Sequence, residues 1–203
     1  MAAGKNGLEG IWPGLASGVP KPLMPYSPAI KAGGWVFIAG TIASDFATGL
    51  APEVKQANVA LESELAVQAR YVLRNLTNTI KACGVDPNKD MVRIWQWPVD
   101  GDNAAEIDMS RYRPVQQEFF YGTIPASSNC GVRELLCLGT KLEVEMICIE
   151  DGGKNEYFGQ VDALSGHAPA TRRGEWVFLS AQNAADLPQP EASEWYDAHV
   201  ERQ

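Results

Sequence analysis

The sequence predicts an α+β fold, a two-layer sandwich in which two helices cover one β-sheet. Two observations support this prediction. Short runs of apolar or alternating residues are separated by longer stretches of helical periodicity, and the predicted element order through residue 150 is β-β-α-β-α-β-β. The order begins with two strand-like segments on either side of Gly33 and Gly34, which is typical of a β-hairpin.

The hairpin is expected to consist of strands at 26–32 and 34–40. Residues 1–22 are rich in Gly and Pro, and we expect an arm that packs across a surface without forming an element of its own. From 58 to 83, apolar side chains recur at spacings of three and four, which predicts an amphipathic helix that ends at Gly84. The predicted apolar stripe consists of Leu61, Leu65, Ala69, Val72, Leu73, Leu76 and Ile80.

Three further strands complete the predicted sheet, at 91–99, at about 126–134 and at 142–149. In the first of them Trp95 and Trp97 share a face, and we expect both to pack under a helix. The helical region that follows contains Pro114. Either that helix breaks near Arg113, or a new helix begins there with proline in its first turn.

The hairpin sequence returns near the C-terminus, at 167–186. With Trp176 placed against Trp35, the two segments also match without a gap at Pro28/Pro169, Ala29/Ala170, Gly33/Gly174, Val36/Val177, Phe37/Phe178, Ala43/Ala184 and Asp45/Asp186. We therefore predict a complete unit at 23–151, a linker at 152–159 and the incomplete start of a second unit at 160–203. Either more chain follows in the natural protein, or the tail docks on a neighbour and completes a sheet there.

The composition excludes several classes of protein. A net charge of −8 argues against a nucleic-acid partner, because affinity for phosphates depends on Lys and Arg. No signal peptide and no membrane-spanning apolar stretch are visible, so we expect a cytoplasmic protein with no membrane partner. The four cysteines lack C-x-x-C spacing and are expected to be reduced. His167 and His199 are isolated, so no metal site is expected.

The element order, together with Pro25-Tyr-Ser-Pro-Ala29 at its front, resembles the Rid family, the reactive-intermediate deaminases of enamines and imines. Four further segments support the resemblance: Val36-Phe-Ile-Ala-Gly40, Val72-Leu-Arg-Asn-Leu76, Pro125-Ala126 and Leu142-Glu-Val-Glu145. The resemblance implies a chorismate-mutase-like fold assembled as a trimer, with clefts between subunits. It also implies hydrolysis without a metal or an organic cofactor.

Site residues follow from the same resemblance. It implies that Glu143 and Tyr26 are catalytic and that the substrate is bound by Ser27, Gly40, Thr41 and Ser127, and the strand phase adds Arg133 as a further substrate-binding candidate. Ser127 occupies the position of the family's carboxylate-binding arginine, and serine cannot provide a charged, two-pronged clamp. Arg133, farther along the same predicted strand, either supplies a displaced guanidinium or is a surface residue, and the surface interpretation is favoured.

The resemblance implies a hydrolytic deaminase of enamine or imine substrates, with 2-aminomuconate-type unsaturated amino acids as one candidate class. The active site is then expected in a cleft of a homo-oligomer, or between this chain and the remainder of the second repeat. Ser127 favours an alternative, a non-catalytic subunit or half-protein for ligand binding or assembly, with any active site in a missing second half. RNA cleavage, attributed to some relatives, is disfavoured by the acidic charge.

Overall fold

The computed structural model describes residues 7–57, 61–99, 109–121, 125–161 and 166–181. The main sheet contains β1 (Glu9–Ile11), β2 (Ala29–Ala32), β3 (Trp35–Ile42), β4 (Met91–Pro98), β5 (Ala126–Asn129) and β6 (Leu142–Ile149). The α-helices in these ranges are α1 (Pro52–Lys55), α2 (Glu64–Ala82), α3 (Pro87–Asp90) and α4 (Tyr112–Phe119). Two 3-10 turns lie at Leu15–Ser17 and Met109–Arg111.

The strands lie in the order β1-β2-β3-β6-β4-β5 across the main sheet. Neighbouring strands are antiparallel, except for the parallel pair of β4 and β5. Both longer helices, α2 and α4, pack on one face of this sheet. The predicted two-layer α+β fold is therefore confirmed.

The hydrophobic core lies between α2 and the helix-facing side of the sheet. Val72, Leu73 and Leu76 of α2 are fully buried in one cluster with Val144 and Met146 of β6. Burying side chains of this size contributes about 1.5–3 kcal/mol each. The packing of one helical stripe on alternate strand residues thus fixes which face of each strand points inward.

The helix α2, which corresponds to the predicted helix at 58–83, is shorter than predicted. It begins after Ser63, whose hydroxyl accepts a hydrogen bond of 3.3 Å from the Ala66 N–H, and it ends before Gly84, which has a φ of 82°. Leu61 precedes the helix and is 86% exposed, so its predicted place in the apolar stripe is wrong. Residues 58–60 lie outside the described part of the chain.

The helix α4 agrees with one of the two alternatives for Pro114. It begins at Tyr112 and carries Pro114 in its first turn, where a missing N–H is tolerated. Most of the preceding predicted helical region, residues 100–108, lies outside the described ranges.

Two predicted boundaries are wrong. Residues 1–22 do contain an element, because the outer edge of β2 pairs with β1 from Glu9 to Ile11. β5 ends at Asn129 instead of about 134. The neighbouring strand β4 ends at Pro98. Beyond it, Val99 and Val132 form a single isolated β-bridge.

A second, three-stranded sheet contains β7 (Glu156–Phe158), β8 (Ala170–Arg173) and β9 (Trp176–Leu179). Its pairing repeats the register of β1, β2 and β3. The corresponding pairs are Ala29–Ile38 and Ala170–Leu179 in the hairpins, and Glu9–Lys31 and Glu156–Arg172 in the added strands. The repeat is thus geometrical as well as sequential, and it includes a strand that precedes each hairpin.

Arg173 fastens the second sheet to the first. The side chain is fully buried. Its guanidinium donates hydrogen bonds to Asp90, Asp151, Asn155 and the carbonyl oxygens of Lys89 and Ile149. At the same end of the hairpin, next to the turn, Trp176 pairs with Arg173 and contacts Trp35 edge to face, with ring centroids 5.0 Å apart. No helix in the described ranges is long and apolar enough to cross a membrane.

We predict that Arg173→Met destabilises the chain by about 3–5 kcal/mol, because it leaves buried carbonyl groups and Asp90 without their donor. Amide hydrogen exchange of β8 and β9 should rise at the same time. The neighbouring Arg172→Met is the matched control, since its ion pair with Glu156 is exposed and contributes about 0–1 kcal/mol. Equal effects of the two changes in urea unfolding would contradict this account.

Candidate active site

The candidate site lies where β3 and β6 part from regular pairing. The register shifts between Ile38 and Thr41, so Gly40 sits in an irregular part of the strand. Glu143 of β6 lies beside this irregularity. A Cβ built on Gly40 would be only 3.0 Å from Cδ of Glu143, so the missing side chain of Gly40 makes room for the carboxyl group.

The Glu143 carboxyl is half-buried on the sheet face away from the helices. Burial raises its pKa above the ordinary value. Glu145 shares this face, and burial followed by repulsion from Glu143 raises its pKa as well. Two neighbouring carboxyl groups with raised pKa values can exchange protons nearer to neutrality than free glutamates do.

Tyr26 completes the same corner. Burial, and secondarily the charge of Glu143, raise the pKa of its phenol, so the hydroxyl stays protonated. The ring lies edge-on to Phe46, with centroids 6.3 Å apart, and Phe46 has an uncommon φ of 61°. Tyr26, Gly40 and Thr41 also line a cavity of about 20 Å³, large enough for one water molecule, which extends to Asn75 and Thr79 of α2 and does not include Glu143 among its lining residues.

Three of the predicted substrate-binding residues lie apart from this corner. Ser27 faces β1, since a Cβ on Gly10 would approach its Oγ to 2.5 Å. Ser127 is buried on the edge strand β5, where its hydroxyl accepts a 2.8 Å hydrogen bond from Gln96 on the helix-facing side. Arg133 is exposed in a bend beyond β5 and not on a strand, because β5 stops earlier.

The edge at Ser127 is closed by the second hairpin. The Ser127 N–H donates to Ser180 Oγ at 2.9 Å, and the Ser127 carbonyl accepts from the Ala181 N–H at 3.0 Å. His167, which matches Tyr26 in the repeat, is buried beside them, with Nδ1 3.2 Å from the Pro125 carbonyl oxygen. The residues that follow β9 thus cover the edge of the first sheet at Ser127.

Sequence reasoning missed Arg93 as a candidate residue and misplaced the two tryptophans. Trp95 and Trp97 lie on the face away from the helices, paired across the sheet with Glu145 and Glu143, and stack with centroids 6.3 Å apart. The guanidinium of Arg93 lies 3.7 Å from the ring centroid of Trp95. The alternation of β4 had placed all three on one face, but it did not say which face the helices cover.

No group of three or more His, Cys, Asp or Glu side chains in the described ranges is arranged to hold a metal ion. The described residues bring carboxyl, phenol, hydroxyl and backbone groups to this corner, with a guanidinium farther along the same face.

Comparison with known proteins identifies relatives of the first sheet and its helices. A family profile described as "Endoribonuclease L-PSP" matches residues 17–150. A RutC family protein of Pyrococcus horikoshii is 34% identical over 107 residues, which are 53% of this chain and 73% of that protein. A 2-iminobutanoate/2-iminopropanoate deaminase of Dermatophagoides farinae is 26% identical over 130 residues, covering 64% and 89%. A solved Rid family protein of unknown function from Yersinia pestis has a TM-score of 0.54 at 23% identity, covering 70% and 98%.

We predict that Gly40→Ala lowers the pKa of Glu143 toward its ordinary value, because the new methyl group pushes the carboxyl out of its half-buried place. Titration of the side-chain carboxyl carbon by ¹³C NMR measures this shift. An unchanged pKa in the variant would show that the carboxyl group does not depend on the space at Gly40.

We also predict that Glu143→Gln stabilises the chain at about pH 8 and not at about pH 4. The folded chain binds this proton more tightly than the unfolded chain, so wild-type stability falls as pH rises from the ordinary glutamate pKa through the raised one. The uncharged amide of Glu143→Gln does not titrate, so the variant keeps its stability as the pH rises. Thermal unfolding of the wild-type and variant chains across this pH range measures the difference in stability.

The control for this pH series is Glu118→Gln, on the far side of α4, which removes an exposed ion pair with Arg70. That change should lower the free energy of unfolding by up to about 1 kcal/mol at the higher pH, and it should not raise the free energy of unfolding at either pH. A Glu143→Gln variant that behaves like the control would refute the burial effect.

Proposed function

The chain belongs to the endoribonuclease L-PSP family, of which the Rid proteins are members, and from this premise we propose that it is a cofactor-independent hydrolytic deaminase of imines and enamines. The observation that carries the proposal is the Glu143 carboxyl, which is half-buried against Gly40, has a raised pKa and lies near the protonated Tyr26. A relative of this chain is named as a 2-iminobutanoate/2-iminopropanoate deaminase.

The proposed chemistry needs only proton transfers and one water. Protonated Glu143 donates a proton to the enamine carbon, which gives the iminium ion, and the carboxylate then accepts a proton from the water that attacks the iminium carbon. This proton passes to the nitrogen of the carbinolamine. The C–N bond breaks as the carbonyl forms, the hydroxyl proton of the carbinolamine returns to Glu143, and the products are a carbonyl compound and ammonia. A raised carboxyl pKa suits both roles near neutrality.

The protein's contribution is positioning. Tyr26 remains a hydrogen-bond donor because its phenol stays protonated, and a donor held near the Glu143 carboxyl can orient the reacting groups. We propose that the substrates include unsaturated amino acids of the 2-aminomuconate type. We further propose a trimer or trimer-based homo-oligomer, or association with the remainder of a second repeat, with the site at a junction between units.

Ser127 favours a second candidate, a non-catalytic Rid-like subunit that binds a metabolite or serves assembly. Its hydroxyl is engaged by Gln96, and its backbone is engaged by Ser180 and Ala181. A closed edge of this kind suits a structural junction better than a substrate cleft.

The test is ammonia release from freshly generated 2-iminopropionate and 2-aminomuconate, compared with the rate without protein. The proposal expects acceleration by the wild-type chain and a loss of about 100-fold or more in Glu143→Gln, while Glu118→Gln retains the wild-type rate. No acceleration of either substrate would reject the deaminase and leave the non-catalytic subunit. RNA cleavage that survives Glu143→Gln would show an activity that does not use the Glu143 carboxyl, and it would leave the proposed chemistry at this site unsupported.

A further inference from the structure

Arg93 differs from the four arginines that form ion pairs in the described part of the chain. Arg70, Arg74, Arg172 and Arg173 each form an ion pair with a carboxylate. Arg93 forms none within the described residues, although the chain carries 25 acidic residues and a net charge of −8. Its hydrogen bond there is the 3.1 Å contact from Nη2 to the Ser128 hydroxyl.

The guanidinium of Arg93 is partly buried, and one of its donors is unsatisfied. Its Nε is buried and has no hydrogen-bond acceptor within the described ranges. Burial lowers the pKa of Arg93, while Glu145 acts in the opposite direction without coming within ion-pair distance. A buried donor left unpaired is unfavourable, because it has lost its hydrogen bond to water. A bound anion would offset that cost.

Two neighbours hold the guanidinium in place. Its central carbon lies 3.7 Å from the ring centroid of Trp95, and the hydroxyl of Ser128 on the adjacent parallel strand accepts a hydrogen bond from one nitrogen. An arginine held in this way has lost much of its side-chain freedom before any ligand arrives. Pre-ordering of this kind raises affinity, because little entropy remains to be lost on binding.

The position of Arg93 relates it to the proposed catalytic corner. Trp95 pairs with Glu145 and Trp97 pairs with Glu143, all on the face away from the helices. Two residues along a strand span about 7 Å. The Arg93 guanidinium, which lies over Trp95, and the Glu143 carboxyl are therefore separated by about the length of one small molecule.

We propose that Arg93, oriented by Ser128 and Trp95, binds the carboxylate of a small imino or enamino acid whose reacting carbon lies toward Glu143. The assignment of the reacting carbon rests on the proposed deaminase function, whereas carboxylate binding does not. The guanidinium thus comes from β4 and reaches β5 beside Ser127, the position at which the sequence resemblance implies an arginine.

The test is a titration of the full chain with pyruvate and with pyruvamide, its uncharged counterpart, followed by the tryptophan indole signals in NMR. Pyruvate should bind the wild-type chain, and Arg93→Gln should weaken it about 10- to 100-fold, as expected for loss of a charged hydrogen-bonded contact. Pyruvamide should bind both chains alike. Arg74→Gln, which removes an exposed paired arginine, is the matched control and should leave pyruvate affinity unchanged.

Ser128→Ala provides a second variant that keeps the charge and loses the orienting hydroxyl, and it should weaken pyruvate about threefold to tenfold. Equal pyruvate affinity of Arg93→Gln and wild type, or no saturable pyruvate binding by the wild type, would overturn the proposal. Glu143→Gln should still bind pyruvate. A wild-type chain that binds pyruvate through Arg93 and releases no ammonia would refute the deaminase and leave the carboxylate site standing.

Discussion

One constraint shapes the candidate site, namely that the helices cover only one face of the main sheet. Because α2 and α4 occupy that face, the apolar alternate residues of β4 and β6 are drawn toward them, and the other alternate residues must point away. The residues so directed are Arg93, Trp95, Trp97, Glu143 and Glu145. Carboxyl, guanidinium and aromatic groups therefore meet on one surface as a consequence of core packing.

The second sheet depends on a different interaction, the burial of Arg173. Taking a guanidinium out of water is unfavourable unless its donors are satisfied, and here two carboxylates, an amide and two carbonyl oxygens satisfy them. The acceptors come from α3, from the end of β6 and from the linker after it. A hairpin of four-residue strands cannot maintain itself in water, so this fastening and the aromatic contacts of Trp35 hold it in place.

Strong periodicity made much of the fold predictable. The strands β3 and β6 and the helix α2 follow from long apolar patterns, and the repeated hairpin follows from a gap-free match that the structure reproduces in its register. β1 was not predictable from its own three residues, because it forms only by pairing with the free edge of β2.

The candidate site was predictable in part. The resemblance implied Glu143, Gly40 and Tyr26, and the structure brings these three to one corner. Arg93 and the tryptophans were missed for a physical reason. Alternation separates the faces of a strand without naming the covered one, and large aromatic residues are usually inside. On β4 it is Gln96 that faces the core, where Ser127 accepts its amide proton.

Ser127 and the docked hairpin are physically linked. The residue is only 8% exposed, and its N–H and carbonyl oxygen are both used by residues 180 and 181. An arginine here would have to bury a guanidinium beside Gln96 or displace the hairpin, and an unpaired buried charge costs several kcal/mol. A small side chain is therefore what allows the second sheet to close this edge. In the proposed carboxylate site the charge comes from outside the closed edge, because Arg93 reaches the neighbouring Ser128 from β4 without disturbing the junction.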